Sequence, residues 1–184
     1  MRVLFWGTPD FATVPLRALI GEGFDVVGVV TRPDKPQGRS RTLKSPPVKN
    51  VAVEENVPCF QPFAPKDPEF LNTIRATQPD ISVVAAYGHI LPRAVIDFPE
   101  HGTLNIHASL LPALRGAAPI QSAIRHGLSE TGITIVRMIP ALDAGPVILQ
   151  ASVSILDDET YGELQLRLSE LGAVAMIEAL ALIS

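Results

Sequence analysis

Apolar residues fall in short blocks separated by amphipathic or proline-marked stretches, and their alternation sets an element order. Arg2 to Trp6 reads as a first strand, Phe11 to Ile20 as a helix and Asp25 to Thr31 as a second strand. A second helix is expected from near Pro46 toward Glu55, capped by Ser45, with proline in the first turn where its missing amide hydrogen costs little. Asp67-Pro68 repeats that start signal before a helix ending near Thr77. Ile81 to Ala86 has the unbroken apolar character of a strand covered on both faces, and Gly102 to Ile106 forms a shorter strand. Ala118 to Arg125 is helical in pattern, and Gly132 to Met138 and Val147 to Val153 are later strands on either side of residue 143. Glu159 to Ile183 closes the chain as a long amphipathic helix, with Asp157 or Asp158 as its cap. There is no internal repeat and no low-complexity stretch. The order strand, helix, strand, helix, strand predicts an α/β fold, a doubly wound and mainly parallel sheet.

Composition narrows the class. At 184 residues and 47% hydrophobic, the chain can bury a core without a metal or disulfide staple. Cys59 is the only cysteine, which excludes an intrachain disulfide and a cysteine-rich zinc site and points to a reducing, cytoplasmic setting. The amino terminus lacks a signal-like pattern, and no run reaches the roughly 18 to 20 apolar residues of a membrane span. Glu163, Arg167, Glu170 and Glu178 interrupt the apolar final segment. No membrane association is expected.

The net charge of -4 argues against a nucleic-acid partner until its distribution is considered. Arg32, Lys35, Arg39, Arg41, Lys44 and Lys49 put six of the fifteen basic residues in one short segment whose only acid is Asp34. That segment carries +5, leaving -9 on the rest of the chain. Prolines 33, 36, 46 and 47 with Gly38 make it a poor helix or strand, so a mobile loop is expected. Such a loop is either a solvated connector or, against an acidic body, an arm that seeks phosphates and orders on RNA.

Chemistry concentrates where the short strand ends. Asn105 and His107 are two residues apart, so an extended backbone sends both side chains from one face. Asp143 adds a carboxylate. An amide, an imidazole and a carboxylate suit acyl transfer: Asn105 donates to an oxygen as it becomes anionic, His107 donates or shuttles a proton, and Asp143 orients or charges the imidazole. Taken alone, three polar residues are better explained as satisfying backbone groups at a buried strand end, and it is the ordered string around them that reverses the preference. Rival motifs are missing. The first turn, Gly7-Thr8-Pro9-Asp10-Phe11-Ala12, lacks Gly-x-Gly-x-x-Gly, and neither a phosphate-binding Gly-x-x-x-x-Gly-Lys nor a Gly-x-Ser-x-Gly string occurs. His101 and His107 lack a remaining ligand set, so no metal is expected.

The ordered strings around these residues carry a family resemblance. Asn105-Ile106-His107, Ser109-Leu110-Leu111-Pro112, Arg115-Gly116-Ala117-Ala118-Pro119 and Leu142-Asp143-Ala144-Gly145 resemble the formyltransferase family that uses 10-formyltetrahydrofolate. So do Phe5 to Ala12 after the first strand and Thr31-Arg32-Pro33-Asp34-Lys35-Pro36 after the second. The likeness runs through nearly the whole chain. It implies Rossmann-like formyltransferase topology, a single catalytic domain over residues 1–184 with the family's carboxy-terminal tRNA-binding domain absent, and a monomer. It also implies formyl transfer from nitrogen 10 of the folate to the methionine amino group of initiator methionyl-tRNA, in translation initiation. Asn105, His107 and Asp143 are then catalytic. Tyr87, Gly88, His89, Ile90 and Leu91, with the loop from Ile139 to Asp143 that includes Ala141 and Leu142, flank the pterin. Ser109, Leu110, Leu111 and Pro112 contribute to the tetrahydrofolate site, although Leu110 and Leu111 equally suit core packing. The basic segment matches the family's tRNA-contacting loop, with Arg39, Arg41 and Lys44 as contacts. Arg41 is foremost, because a guanidinium both stacks on a base and pairs with phosphate.

Ala113-Leu114 departs from the pattern, standing where relatives often carry a basic and an aromatic residue. Relatives that formylate a nucleotide-linked amino sugar or a ribonucleotide amine, or that hydrolyse the donor, remain alternatives on the Asn-His-Asp trio. So does a noncatalytic folate- or RNA-binding module. The basic segment favours a tRNA acceptor, since small substrates have no need of a phosphate-seeking arm.

Overall fold

Val3, Leu4, Phe5 and Trp6 are all fully buried in β1 (Arg2–Gly7), which lies mid-sheet with helices packed on both faces. The computed structural model describes residues 1–37 and 41–183. Its main sheet has seven strands: β5 (Cys59–Phe60), β2 (Asp25–Val30), β1, β6 (Ile81–Ala85), β7 (Thr103–His107), β8 (Glu130–Arg137) and β9 (Val147–Ser154), in that spatial order. The pairings from β5 through β7 are parallel, and β7–β8 and β8–β9 are antiparallel. The strand order reverses between β1 and β6, where a doubly wound sheet leaves its ligand crevice.

Period-two alternation sorts the two faces. Leu4, Trp6, Val30 and Val84 point to one side, where α3 (Pro68–Ala76) and α4 (Arg93–Ile96) add Ile74, Val95 and Ile96. Val3, Phe5, Val83, Leu104 and Ile106 point to the other, into the larger core. Residues of α1 (Thr13–Gly21), α2 (Pro47–Glu54), α5 (Pro119–Arg125) and α6 (Tyr161–Ile183) fill that side. Each buried leucine- or isoleucine-sized side chain in that layer contributes roughly 1.5–3 kcal/mol of transfer free energy.

Local chemistry departs from expectation in four places. A three-residue 3-10 turn, Asp10–Ala12, precedes α1, so the first helix begins at Thr13 rather than Phe11. Ser45 does not cap α2: Pro46 holds the cap position, and the Ser45 hydroxyl turns 3.4 Å toward the Asp34 carboxylate. Neither Asp157 nor Asp158 caps α6. Thr160 does, because Glu163 stands three residues on and accepts both the Thr160 amide at 2.9 Å and its hydroxyl at 2.7 Å, while Thr160 Oγ1 receives the Glu163 amide at 3.4 Å. Those hydrogen bonds hold the Glu163 carboxyl below its ordinary range. Finally, the basic segment includes a small antiparallel hairpin, β3 (Lys35–Gln37) with β4 (Thr42–Lys44). Pro36 sits opposite Leu43 there, and a two-stranded ribbon tolerates proline because each strand has an unpaired edge. The Asp67 cap, by contrast, stands where the sequence places it and accepts the Glu69 amide at 3.0 Å.

Candidate active site

Strand β7 carries Asn105 and His107 to the end of the sheet. Asn105 pairs in register with Val84 on one side and Val136 on the other, so its side chain shares a face with both. His107 follows on that face and is 5% exposed. Both line a cavity of about 860 Å³, within the size range of small-molecule sites. Among the described residues no group hydrogen-bonds the Asn105 side chain, which leaves its amide available to a ligand.

The imidazole is held at both nitrogens. Nε2 lies 3.0 Å from the Leu114 carbonyl oxygen, which only accepts, so Nε2 carries a hydrogen in this arrangement. Nδ1 faces Asp143 Oδ2 at 3.7 Å. The same carboxylate oxygen accepts the Gly116 amide at 2.9 Å, tying the loop after β7 to the loop after β8. Leu114 and Asp143 both adopt positive φ, at 52° and 45°, and Gly116 at 102° takes a conformation suited to glycine. The Arg-Gly and Leu-Asp-Ala-Gly strings are thus the two halves of one clamp on His107.

Delivery of Asp143 needs a backbone that doubles back. β8 runs antiparallel to β7, so Arg137 ends beside Leu104, at the start of β7, while Asp143 meets His107 at its far end. The segment 138–146 leaves through a Met138 amide bond to the Thr103 carbonyl at 2.8 Å and returns as Pro146 accepts the Arg137 amide at 2.9 Å. Gly145 makes the closure possible: a Cβ there would lie 1.8 Å from the Arg137 carbonyl oxygen.

The opposite wall is the Tyr87–Leu91 loop after β6. Tyr87, Gly88, His89, Ile90 and Leu91 line the cavity, as do Ala141 and Leu142 across it. Tyr87 is buried edge-on against Trp6, ring centres 5.2 Å apart, and its carbonyl accepts the Thr8 hydroxyl at 2.8 Å. Burial pushes the Tyr87 phenol up to about 12, and its hydroxyl has no hydrogen-bond partner among the described residues. Burial, then the neighbouring Arg32 and Lys35 charges, lower the pKa of His89. Ile90 and Leu142 are 86% and 66% exposed, an apolar lip on each side of the mouth.

Ser109, Leu110, Leu111 and Pro112 do not line the cavity. They build the turn behind it: the Ser109 hydroxyl donates to the Ala113 carbonyl at 2.6 Å, and Thr134 Oγ1 both donates to the Ser109 carbonyl and accepts the Leu111 amide. Gln150 donates to the Leu111 carbonyl at 2.8 Å. Arg41 and Lys44 sit on the hairpin, exposed and outside the cavity lining; Arg39 lies outside the described residues. Lys49 is not a free charge, for it and Gln61 both donate to Asp34, at 2.9 and 2.7 Å. These bonds, Gln61 first, lower the pKa of Asp34.

Arg32, Phe11, Gln121 and Gln165 also line the cavity. In the sequence Arg32 reads as one of the loop charges, and only its place directly after β2 sets it apart. Phe11 is pinned from behind, where Ser169 of α6 donates to its carbonyl at 2.7 Å. Gln121 and Gln165 lie on helices with no sequence signal for a site. Among the described residues no cluster of His, Cys, Asp and Glu could hold a metal, and no helix is long and apolar enough to cross a membrane.

Residues 1–180 match the sequence family described as formyl transferase. The chain is 51% identical over 180 residues to a methionyl-tRNA formyltransferase of Marinobacter nauticus, covering 98% of this chain and 58% of the relative. It is 47% identical to that of Moorella thermoacetica over its full length and 59% of the relative. The chain thus spans under three-fifths of the length of these curated relatives. Among solved structures, phosphoribosylglycinamide formyltransferase from Anaplasma phagocytophilum superposes with a TM-score of 0.81 at 26% identity, over 100% of this chain and 86% of that one. A formyltetrahydrofolate deformylase from Pseudomonas syringae pv. tomato shares the fold, with a TM-score of 0.76 at 22% identity over 97% of this chain and 59% of that one.

Proposed function

Because the chain belongs to the formyl transferase family, we propose that it moves the formyl group of 10-formyltetrahydrofolate to the methionine amino group of initiator methionyl-tRNA. The observation that carries the reading is the joint opening of Asn105, His107 and Asp143 into one cavity large enough for a bicyclic donor and an acceptor end. The names of the 47–51% identical relatives point to this acceptor.

In this reading the neutral amine attacks the formyl carbon directly, and no covalent enzyme intermediate forms. Asn105 donates its amide hydrogen to the formyl oxygen as it becomes an oxyanion, and protonated His107 adds a second, charged stabilisation. One such donor contributes roughly 2.7–4 kcal/mol in comparable sites. Asp143 balances the His107 cation and accepts, through water, the proton that the attacking nitrogen must lose. Collapse of the tetrahedral carbon breaks its bond to nitrogen 10, which takes up, through the same water, the proton Asp143 received and leaves as tetrahydrofolate.

The donor pterin is placed between the Tyr87–Leu91 loop and Ala141–Leu142, whose lips are apolar and whose Gly88 permits close backbone approach. Ser109 to Pro112 serve that site from behind, by shaping the turn. Arg41 and Lys44, exposed and without an ion pair among the described residues, are assigned with Arg39 to the tRNA backbone. A cytoplasmic setting suits both substrates and the free Cys59.

Incubation of the purified chain with 10-formyltetrahydrofolate and methionyl initiator tRNA tests the reading. Formylmethionyl-tRNA is the expected product. Formate released without an acceptor would instead make the chain a hydrolase, and retained donor binding with no turnover on this acceptor would reject the assignment for this chain.

A further inference from the structure

Arg32 stands in the cavity wall with no ion pair among the described residues. Its side chain is half-buried, its Nε is fully buried with no hydrogen-bond partner, and among the described residues no carboxylate pairs with it. Its backbone is fixed on both sides: the Thr31 amide donates to the Phe60 carbonyl at 3.0 Å, and Gln61 Nε2 donates to the Arg32 carbonyl at 2.9 Å. The side chain packs over Gly88, where an added Cβ would stand 3.4 Å from its Cδ. A partly desolvated guanidinium held this way attracts an incoming oxyanion more strongly than a solvated surface charge does.

Its location selects the anion. Arg32 follows β2, three strand spacings from β7, which places it about 14 Å along the sheet from Asn105 and His107 at ~4.8 Å per strand. It lies across the switch point from the Asp143 loop, and the basic hairpin begins immediately after it at Lys35. Arg32 in the wall and Lys35 on the hairpin both act as neighbouring charges on His89, and Arg41 and Lys44 stand exposed at the hairpin's second strand. We propose that Arg32 is the docking point for a phosphate of the acceptor's single-stranded 3′ end, the contact that sets how deep that end enters. This rests on the tRNA reading above.

The test titrates the full chain with a fluorescently labelled RNA tetranucleotide, ACCA, following anisotropy, for the wild type, Arg32→Ala and Arg32→Gln. Donor affinity is measured in parallel. The glutamine variant keeps donors without charge, and matching thermal melts separate lost binding from lost folding. The expected result is about tenfold weaker tetranucleotide binding in both variants, unchanged donor affinity, and a flatter salt dependence by about 0.7 in the log–log slope, the value for one single-strand phosphate contact. Wild-type-like RNA binding in both variants, no tetranucleotide binding by the wild type, or a loss confined to the donor would overturn the proposal. Wild-type formylation of methionyl-tRNA, measured separately, judges the acceptor reading itself, so either can fail alone.

Discussion

Asp143 Oδ2 lies 3.7 Å from His107 Nδ1 and at the same time 2.9 Å from the Gly116 amide it accepts, so one oxygen both faces the imidazole and fastens the loop beside it. Charge and position are separable there. Asp143→Asn retains an oxygen for Gly116 and removes the negative charge. Turnover should fall on the order of a hundredfold with little change in donor affinity, as read by single-turnover formyl transfer and equilibrium donor binding. A variant with wild-type single-turnover rates would show that the charge is not used.

Asn105 has no structural hydrogen bond to lose among the described residues. Asn105→Ala should therefore melt within about 0.5 kcal/mol of the wild type while losing roughly 10²–10³ in kcat. Loss of stability without loss of rate would make Asn105 a strand-end residue after all.

Gly145→Ala places a methyl where the Arg137 carbonyl already sits, and the backbone of 138–146 has to move. The variant should fold, because the strain falls on a loop, yet lose activity about as much as Asp143→Asn does. Circular dichroism matched against steady-state kinetics reads both, and a fully active Gly145→Ala would mean that Asp143 tolerates displacement.

Tyr87 gives a pH signature. Its phenol is raised to about 12 from 10.0, so the folded state keeps it neutral where the unfolded chain would ionise it. The contribution is complete below pH 10 and is lost as pH climbs toward 12, up to about 3 kcal/mol. Tyr87→Phe should show a flatter loss of stability in urea between pH 9.5 and 11.5. Parallel curves for the two proteins would remove this assignment.

Thr160→Ala should destabilise the chain by about 1 kcal/mol, since it removes the cap of a helix that braces Phe11 through Ser169. Asp157→Ala and Asp158→Ala should each stay within about 0.5 kcal/mol. The reverse ranking in thermal melts would restore the aspartates as caps.

What was legible in the sequence was what period and punctuation encode. Buried strands such as Ile81–Ala85 announce themselves, and Asp67-Pro68 marks a helix start because cap and proline act within one turn. The sequence favours the two aspartates over Thr160 because the partner of Thr160, Glu163, stands three residues on and the pair works only reciprocally. The Asn105–His107 alternation follows from strand geometry, but its link to Asp143 spans an antiparallel reversal that no local pattern specifies. Arg32 and Lys49 look alike as loop charges. Only the fold shows Lys49 neutralised by Asp34 and Arg32 in the cavity wall with no ion pair among the described residues.

The returning segment 138–146 has a further consequence: it acts as a ruler. It begins beside Thr103 and must set down Asp143 at the other end of β7, so the reach of the carboxylate is written as a number of residues. One residue more or fewer shifts an extended chain by about 3.3 Å, nearly the whole separation between carboxylate and imidazole. The identities of Asp143 and Gly145 therefore do not suffice without the spacing between them and the strand ends, and an insertion there should abolish turnover while leaving every strand of the sheet in place.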